Sequence, residues 1–286
     1  DDKVFPFDKD SSTPLWSYTT AGENVRSVAI SADGEYVTAG SDDDKVYLFD
    51  KDSSTPLWSY STGGNVDSVS ISADGEYVTA GNADDEVYLF DKDSSTPLWN
   101  YTTDDEVKSV AISADGEYIV VGTWGAGSKL YLFDKDSSTP VWTAGPYETV
   151  CLSVAISADG EYIITGDDDE TIYLFNKDSN DPVWDYESDG KPKSAGISSD
   201  GEYMVVSTSS KIYVFDKDSS TPLWSYDAGN NVCSVAISAD GEYIVAGSND
   251  DKVYLFDKDS STPLWSYTTG DEVHSVAISA DGEYIT

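Results

Sequence analysis

"VYLFDKDSSTPLWSY" occupies residues 46–60 and returns almost letter for letter at 87–101 and 253–267. A segment copied this closely is one unit of an internal repeat, and the period decides the architecture. The tryptophan of "PLW" or "PVW" recurs as Trp16, Trp58, Trp99, Trp142, Trp184, Trp224 and Trp265, in steps of 40 to 43 residues. A second marker, "ISADGEY" or "ISSDGEY", places its glycine at Gly34, Gly75, Gly116, Gly160, Gly201, Gly241 and Gly282. One period runs from end to end, so residues 1–286 are expected to form a single repeat domain rather than two unrelated ones.

Each period holds four strand signals. "VRSVAIS" (25–31) is rich in β-branched residues and alternates, and "EYVTAG" (35–40) follows it across Ala32-Asp33-Gly34. Asp-Gly between two such runs signals a hairpin, because glycine accepts the positive φ of the turn. "KVYLFD" (45–50) is the third strand and "PLWSY" (56–60) the fourth. The 3.6-residue apolar spacing of a helix is missing throughout. Four strands in about 40 residues, repeated many times, define an all-β protein built of propeller blades. Residues 3–18 carry only third and fourth strands, and residues 272–286 only first and second. The expected fold is a seven-bladed β-propeller of four antiparallel strands per blade, its ring closed by a composite blade of these two ends, which removes the open sheet edges. Pro6 stands where other copies have leucine or valine. Proline cannot donate to a strand ladder, so a local defect is expected there.

The stretch "SVAISADGEYVTAGSDDDKVYLFD" (27–50) resembles a WD-type propeller repeat, with Phe49 in the usual place of tryptophan and without that family's Gly-His dipeptide. "KVYLFDKDSSTPLWSYTT" (252–269) resembles the quinoprotein-type propeller repeat, which carries a tryptophan in its outer strand. Near-identical repeats of this kind are similar to those of archaeal and bacterial cell-surface propellers. The quinoprotein resemblance would imply a quinone cofactor. The eight blades and adjacent cysteines usual in such enzymes are not found, and no cofactor is expected. Propellers host many unrelated activities, so the resemblance speaks for the fold and little for the function.

Composition narrows the partners. The formal charge is −38, from 54 acidic and 16 basic residues. Such a surface repels nucleic acid, whose binding rests on basic contacts to phosphate, and it repels anionic membranes. It suits an extracellular or salty medium, and it would gather cations or a basic partner. No apolar run is long enough to insert into a bilayer. Cys151 and Cys233 are too few for a disulfide framework and read as small apolar fillers. "DKDSST" spaces oxygen side chains as a calcium loop does, but Thr55 and Ser61 hold the positions where such a loop needs glycine and glutamate. Its side chains are therefore expected to cap their own turn. The acidic loops Asp42-Asp43-Asp44, Asp84-Asp85-Glu86, Asp167 to Glu170 and Asp250-Asp251 read as turns, with weak calcium binding reserved for one or two.

Catalysis finds little support. His274 is the sole histidine, so neither a serine triad nor a zinc site can be assembled. Most carboxylates belong to the repeated turns. No catalytic residue and no metal ligand is therefore assigned, and the chain is expected not to be an enzyme.

The copies control one another: what every blade shares serves the blade, and what differs is free to serve a ligand. Seven of the sixteen basic residues are the lysine of "DKD" or "NKD", and five open a third strand. The remaining four are Arg26, Lys108, Lys191 and Lys193, and three of them fall at one equivalent position just before "SVAIS" or its variant. Around the expected ring that position reads Arg26, Asp67, Lys108, Leu152, Lys193, Cys233, His274, with Lys191 nearby. At a channel mouth these would form a basic ring for a carboxylate, sulfate or acidic glycan, strengthened below about pH 6.5 by His274. A second candidate is an aromatic patch of Trp124, in the off-template loop "TWGAGSK" (123–129), with Tyr147 of "TAGPYET" (143–149). The expected function is a non-enzymatic binding or display module, monomeric, acting on a protein or an acidic glycan at a cell surface or in a secreted assembly. The alternatives are a polysaccharide hydrolase or lyase in the same channel, and a structural tile of a surface coat.

Overall fold

The computed structural model describes residues 2–145 and 153–286. It is all-β, with no helix among the described residues. The chain divides into two compact units, residues 1–145 and 146–286.

The first unit opens with a two-stranded sheet, Lys3–Val4 against Tyr18–Thr19. Three four-stranded meanders follow. Blade one is Val25–Ile30, Tyr36–Ser41, Lys45–Asp50 and Trp58–Ser61. Blade two is Val66–Ile71, Tyr77–Asn82, Glu86–Asp91 and Trp99–Thr102. Blade three is Glu106–Ile112, Tyr118–Trp124, Leu130–Asp134 and Trp142–Ala144. The first strand of the chain stops at Val4, before Pro6, and only the isolated bridge Phe7–Pro14 continues the pairing.

The second unit repeats the pattern. Blade four is Val154–Ile156, Tyr162–Gly166, Thr171–Asn176 and Trp184–Glu187. Blade five is Ser194–Ile197, Tyr203–Ser207, Lys211–Asp216 and Trp224–Asp227. Blade six is Val232–Ile237, Tyr243–Ser248, Lys252–Asp257 and Trp265–Thr268. Residues 272–286 lie against blade six: Ala239 N–H donates to Ala280 O at 3.0 Å, and Val276 N–H to Ser234 Oγ at 3.1 Å.

The Asp-Gly hairpins form as the sequence indicates. Gly34 sits at φ 73°, and Asp33 Oδ1 accepts from Ser31 Oγ at 2.6 Å and from Glu35 N–H at 3.0 Å. These bonds hold the Asp33 carboxyl below its ordinary range, the Ser31 hydroxyl contributing most. In the "DKDSST" turn, Asp50 Oδ1 accepts from Asp52 N–H at 2.8 Å and Ser53 Oγ from Thr55 N–H at 3.0 Å. The acidic loops are turns as well: Asp44, Asp85 and Asp251 hold the left-handed conformation at φ 64 to 66°, which aspartate tolerates better than most residues.

Blades join by one repeated contact. The outer-strand indole donates to the lysine carbonyl of the next "DKD": Trp16 to Lys51 O at 2.8 Å, Trp58 to Lys92 O at 2.8 Å, Trp224 to Lys258 O at 2.6 Å. Beneath that bond, Trp58 lies 5.1 Å from Phe90 and Tyr60 meets the same ring edge-on at 5.2 Å. Aromatic pairs of this geometry add about 0.5–1.5 kcal/mol beyond their buried area. Phe49, Phe90, Phe133, Phe215 and Phe256 are fully buried by such clasps. Near the inner strands the blades approach so closely that a Cβ on Gly40 would lie 2.5 Å from Val66 Cγ1. The small serine of the first strand is more than a spacer. Ser27 Oγ accepts from Val69 N–H and Ser68 Oγ from Val110 N–H, each at 3.1 Å across the blade boundary.

Candidate functional site

The first strands carry an irregularity that the sequence reading did not identify. In blade one, Val25 pairs with Ser41 and Ser27 with Gly40, so Arg26 is the extra residue of a β-bulge. The same shift leaves Asp67 extra in blade two, Lys108 in blade three and Cys233 in blade six. A bulged residue lies outside the ladder and its side chain is re-aimed. The position that varies between copies is thus the bulge, while the flanking valine and serine serve packing and the inter-blade bond. The signal was present in the sequence: Val25 and Val28 are three apart, which breaks the period of two.

In the first unit the bulges bring three of the candidate residues together. Arg26 Nε donates to the Asp42 carboxylate, and its Nη1 lies 3.6 Å from Asp67 Oδ1. Lys108 donates to Asp67 on the other side and lies 3.1 Å from Glu106 Oε2. Asp67, only 8% exposed, is the shared acid between two cations. Asp42 holds the Arg26 guanidinium even higher than usual by a direct hydrogen bond, and that bond lowers the Asp42 carboxyl in return. Burial opposes the Lys108 charge, but the bonds to Asp67 and Glu106 outweigh it and its pKa is raised. From the sequence, a basic ring is expected at this position. Once Asp42 and Glu106 are included, two bases face three acids, and both cations already have partners.

Trp124 joins this group. It ends the second strand of blade three opposite Glu106, is 46% exposed, and carries the Lys108 ammonium 5.1 Å from its ring centroid. Its intended partner Tyr147 lies outside the described residues, as do Leu152 and Cys151.

In the second unit, Lys191 pairs with Asp168 at 2.6 Å. Lys193 and His274 are exposed. The Cys233 thiol is half-buried and donates to Asn249 Oδ1 at 2.9 Å, so it does more than fill space. Burial raises its pKa first, Glu272 adds to the rise, and Lys193 opposes it. Among the described residues no group of three or more His, Cys, Asp or Glu side chains is arranged to hold a metal ion, and no helix is long and apolar enough to cross a membrane. Asp43 Oδ1 and Asp250 Oδ1, at equivalent places in blades one and six, are buried without a hydrogen-bond partner. Their second oxygens accept from the hydroxyls of Tyr47 and Tyr254.

Repeated four-stranded meanders joined through an outer-strand tryptophan define a protein of quinoprotein-type propeller repeats. A family model described as outer membrane protein assembly factor BamB matches residues 1–102, 43–186 and 168–283, and the chain belongs to that family. No curated protein matches the chain.

Proposed function

We propose that this protein is a non-enzymatic binding or display module that holds a protein or a glycan at a cell surface or in a secreted assembly. The observation behind it is the bulge row. The repeat varies where a side chain is freed from the ladder, and Arg26, Asp67 and Lys108 stand side by side there. An enzyme of this architecture would need convergent acids free for chemistry, whereas Asp67 is bound between two cations. No resident cofactor enters this reading.

The same reading includes ring closure. Phe5 and Phe7 are 43% and 56% exposed in the first unit, and Trp265 and Tyr267 are 42% and 66% exposed in the second. By the repeat, these four are the two halves of one blade contact: the indole of Trp265 would find the Lys9 carbonyl, and Tyr267 the ring of Phe7. We therefore take residues 3–18 and 272–286 to complete a seventh blade within one chain.

The test of function compares the wild type with the triple variant Arg26→Gln, Lys108→Gln, Lys193→Gln on an array of acidic and neutral oligosaccharides and of extracellular proteins. Wild type is expected to bind at least one class, and the variant to differ from it at least tenfold in affinity, weaker for an acidic ligand and tighter for a basic one. Equal binding by the two removes the bulge row as the site. Release of new reducing ends from any oligosaccharide favours a hydrolase or lyase instead.

A further inference from the structure

Acidic turns alone mark no site in this molecule, since most blades carry them. The edge shared by blades two and three departs from the others in three ways. Its third strand opens on Glu86, where blades one, three, five and six have Lys45, Lys129, Lys211 and Lys252 and blade four has Thr171. The turns before that strand and after the fourth strand crowd their acids: the Asp85 carboxyl is pushed up first by burial and then by Asp105, Glu106 and Asp84. Finally, the hairpin 123–129 is lengthened and presents the one tryptophan outside the template, Trp124.

That hairpin is fixed in place. Gly127 N–H donates to Asp105 Oδ2 at 3.2 Å, and a Cβ on Gly125 would collide with the Asp105 carboxylate. Thr103 Oγ1 ties the turns together, its one proton shared between Asp85 O at 2.8 Å and Asp105 O at 2.7 Å. Lys129 is engaged by Asp104, and Lys108 by Asp67 and Glu106. Asp84, Asp85, Asp104, Asp105 and Glu106 are thus met by two lysines, and the surplus is negative. The indole is half exposed on a strand paired with Glu106, and it already accepts one ammonium, that of Lys108.

We propose that Trp124 anchors a lysine- or arginine-bearing segment of a partner protein. A cation of the partner lies over the open part of the indole, and its neighbours along the segment meet the carboxylates around Asp84 and Asp105. This rests on the binding-module reading and names the class of partner. An acidic ligand is disfavoured by the same surplus. A neutral saccharide would use the ring but would gain nothing from the charge. An exposed tryptophan ringed by polar groups is also what interface anchors look like, and the attraction of a cation to the indole face grows as water is excluded.

The probe is an octalysine peptide, with a serine-glycine peptide of the same length and a neutral oligosaccharide as controls. The protein is intact and 15N-labelled, at about 50 mM and about 500 mM salt, between which screening of exposed charges becomes strong. Octalysine can touch any acidic turn, so the readout is local: the indole Nε1–H signal of Trp124, assigned by its loss in Trp124→Phe. At low salt this signal is expected to shift saturably with octalysine and to stay still with both controls. Trp124→Ala is expected to weaken octalysine binding about tenfold, and Asp44→Asn, in a turn of blade one, by less than twofold. Trp124 is exposed, so an unchanged melting temperature confirms that its variants fold. Octalysine binding that leaves the Trp124 signal unmoved, or that Trp124→Ala weakens by less than twofold, overturns the inference and leaves the module reading intact. A Trp124 signal that moves with the saccharide and not with octalysine assigns the site to glycan. Binding of no probe, together with no binding on the array described above, removes both.

Discussion

The first strands of blades one and two have nearly the same sequence and opposite surroundings. Blade one reads VRSVAI and blade two VDSVSI. Val28 and Ile30 are 59% and 61% exposed, whereas Val69 and Ile71, their equivalents, are 5% and 9% exposed. The strands, the bulge and the register are alike. What differs is the neighbour. Val69 and Ile71 pack into a cluster with Val46, Leu48 and Trp58 of blade one. The face holding Val28 and Ile30 is where a preceding blade's inner strands would lie. Local sequence therefore makes a blade, but only an adjacent blade makes its core. A blade without such a neighbour would carry apolar residues that the repeat wrote for a partner.

The strongest way to test that contrast is to truncate the two isoleucines. Ile71→Ala should cost about 2–4 kcal/mol, because a well-packed site cannot collapse fully around the cavity. If the ring closes as proposed, Ile30→Ala should cost nearly as much. Its effect should then fall below about 0.5 kcal/mol in a chain lacking residues 272–286, since a substitution cannot remove a contact that is already gone. Urea unfolding of the five proteins (wild type, the two single variants, the truncated chain and the truncated chain with Ile30→Ala) decides the point. A silent Ile30→Ala in the full chain means that the face is open in solution and the ring is not closed.

The same contrast shows what was legible in the sequence. The blade was legible because every copy repeats the same chemistry: glycine at φ 73° in the hairpin, tryptophan for the next blade's carbonyl, phenylalanine for the clasp. The row Arg26, Asp67, Lys108 was legible as a variable position for the same reason. Its electrostatics were not. The acid that binds Arg26 is Asp42, sixteen residues away in the turn that follows the neighbouring strand, and the acid shared with Lys108 lies on another blade. Sequence spacing cannot give that register, because the bulge displaces the first strands of blades one, two and three by one residue. Trp124 was singled out, but its contact with Lys108 depends on the same displacement.

A smaller effect separates the outer strands. Trp58 is 9% exposed and donates to Lys92 O at 2.8 Å, while Trp265 is 42% exposed. Trp58→Phe keeps an aromatic ring but removes the donor and leaves a carbonyl without its partner. The expected loss is about 1–2 kcal/mol, a shift of a few degrees in melting temperature for a chain of this length. Trp265→Phe should match it if the indole reaches Lys9, and should be near neutral otherwise. Equal losses at Trp58 and Trp265, with Ile30→Ala as costly as Ile71→Ala, would close the ring on both its inner and outer strands. A loss at one and not the other would place the opening.

The smallest effect belongs to the two bulge residues of the strands compared. Asp67, in blade two, is nearly buried and is shared by Arg26 and Lys108. Arg26, in blade one, is 45% exposed. Asp67→Asn takes a carboxylate from two cations and should cost about 1–2 kcal/mol, since bonds to charged groups are the stronger ones. Arg26→Gln should cost no more than about 0.5 kcal/mol, because solvent screens an exposed pair. Its trace lies in the acid limb. Arg26 holds the folded Asp42 carboxyl below its ordinary value. The pair's contribution is therefore complete above the ordinary carboxylate range and disappears as pH falls through the lowered folded value. Melting curves of wild type and Arg26→Gln should run a constant small distance apart from pH 7 to about pH 5 and converge as pH falls below the ordinary aspartate range. Curves that stay parallel into acid would show that Arg26 acts through packing of its stem, and that the row of freed side chains is not held by charge at its exposed end.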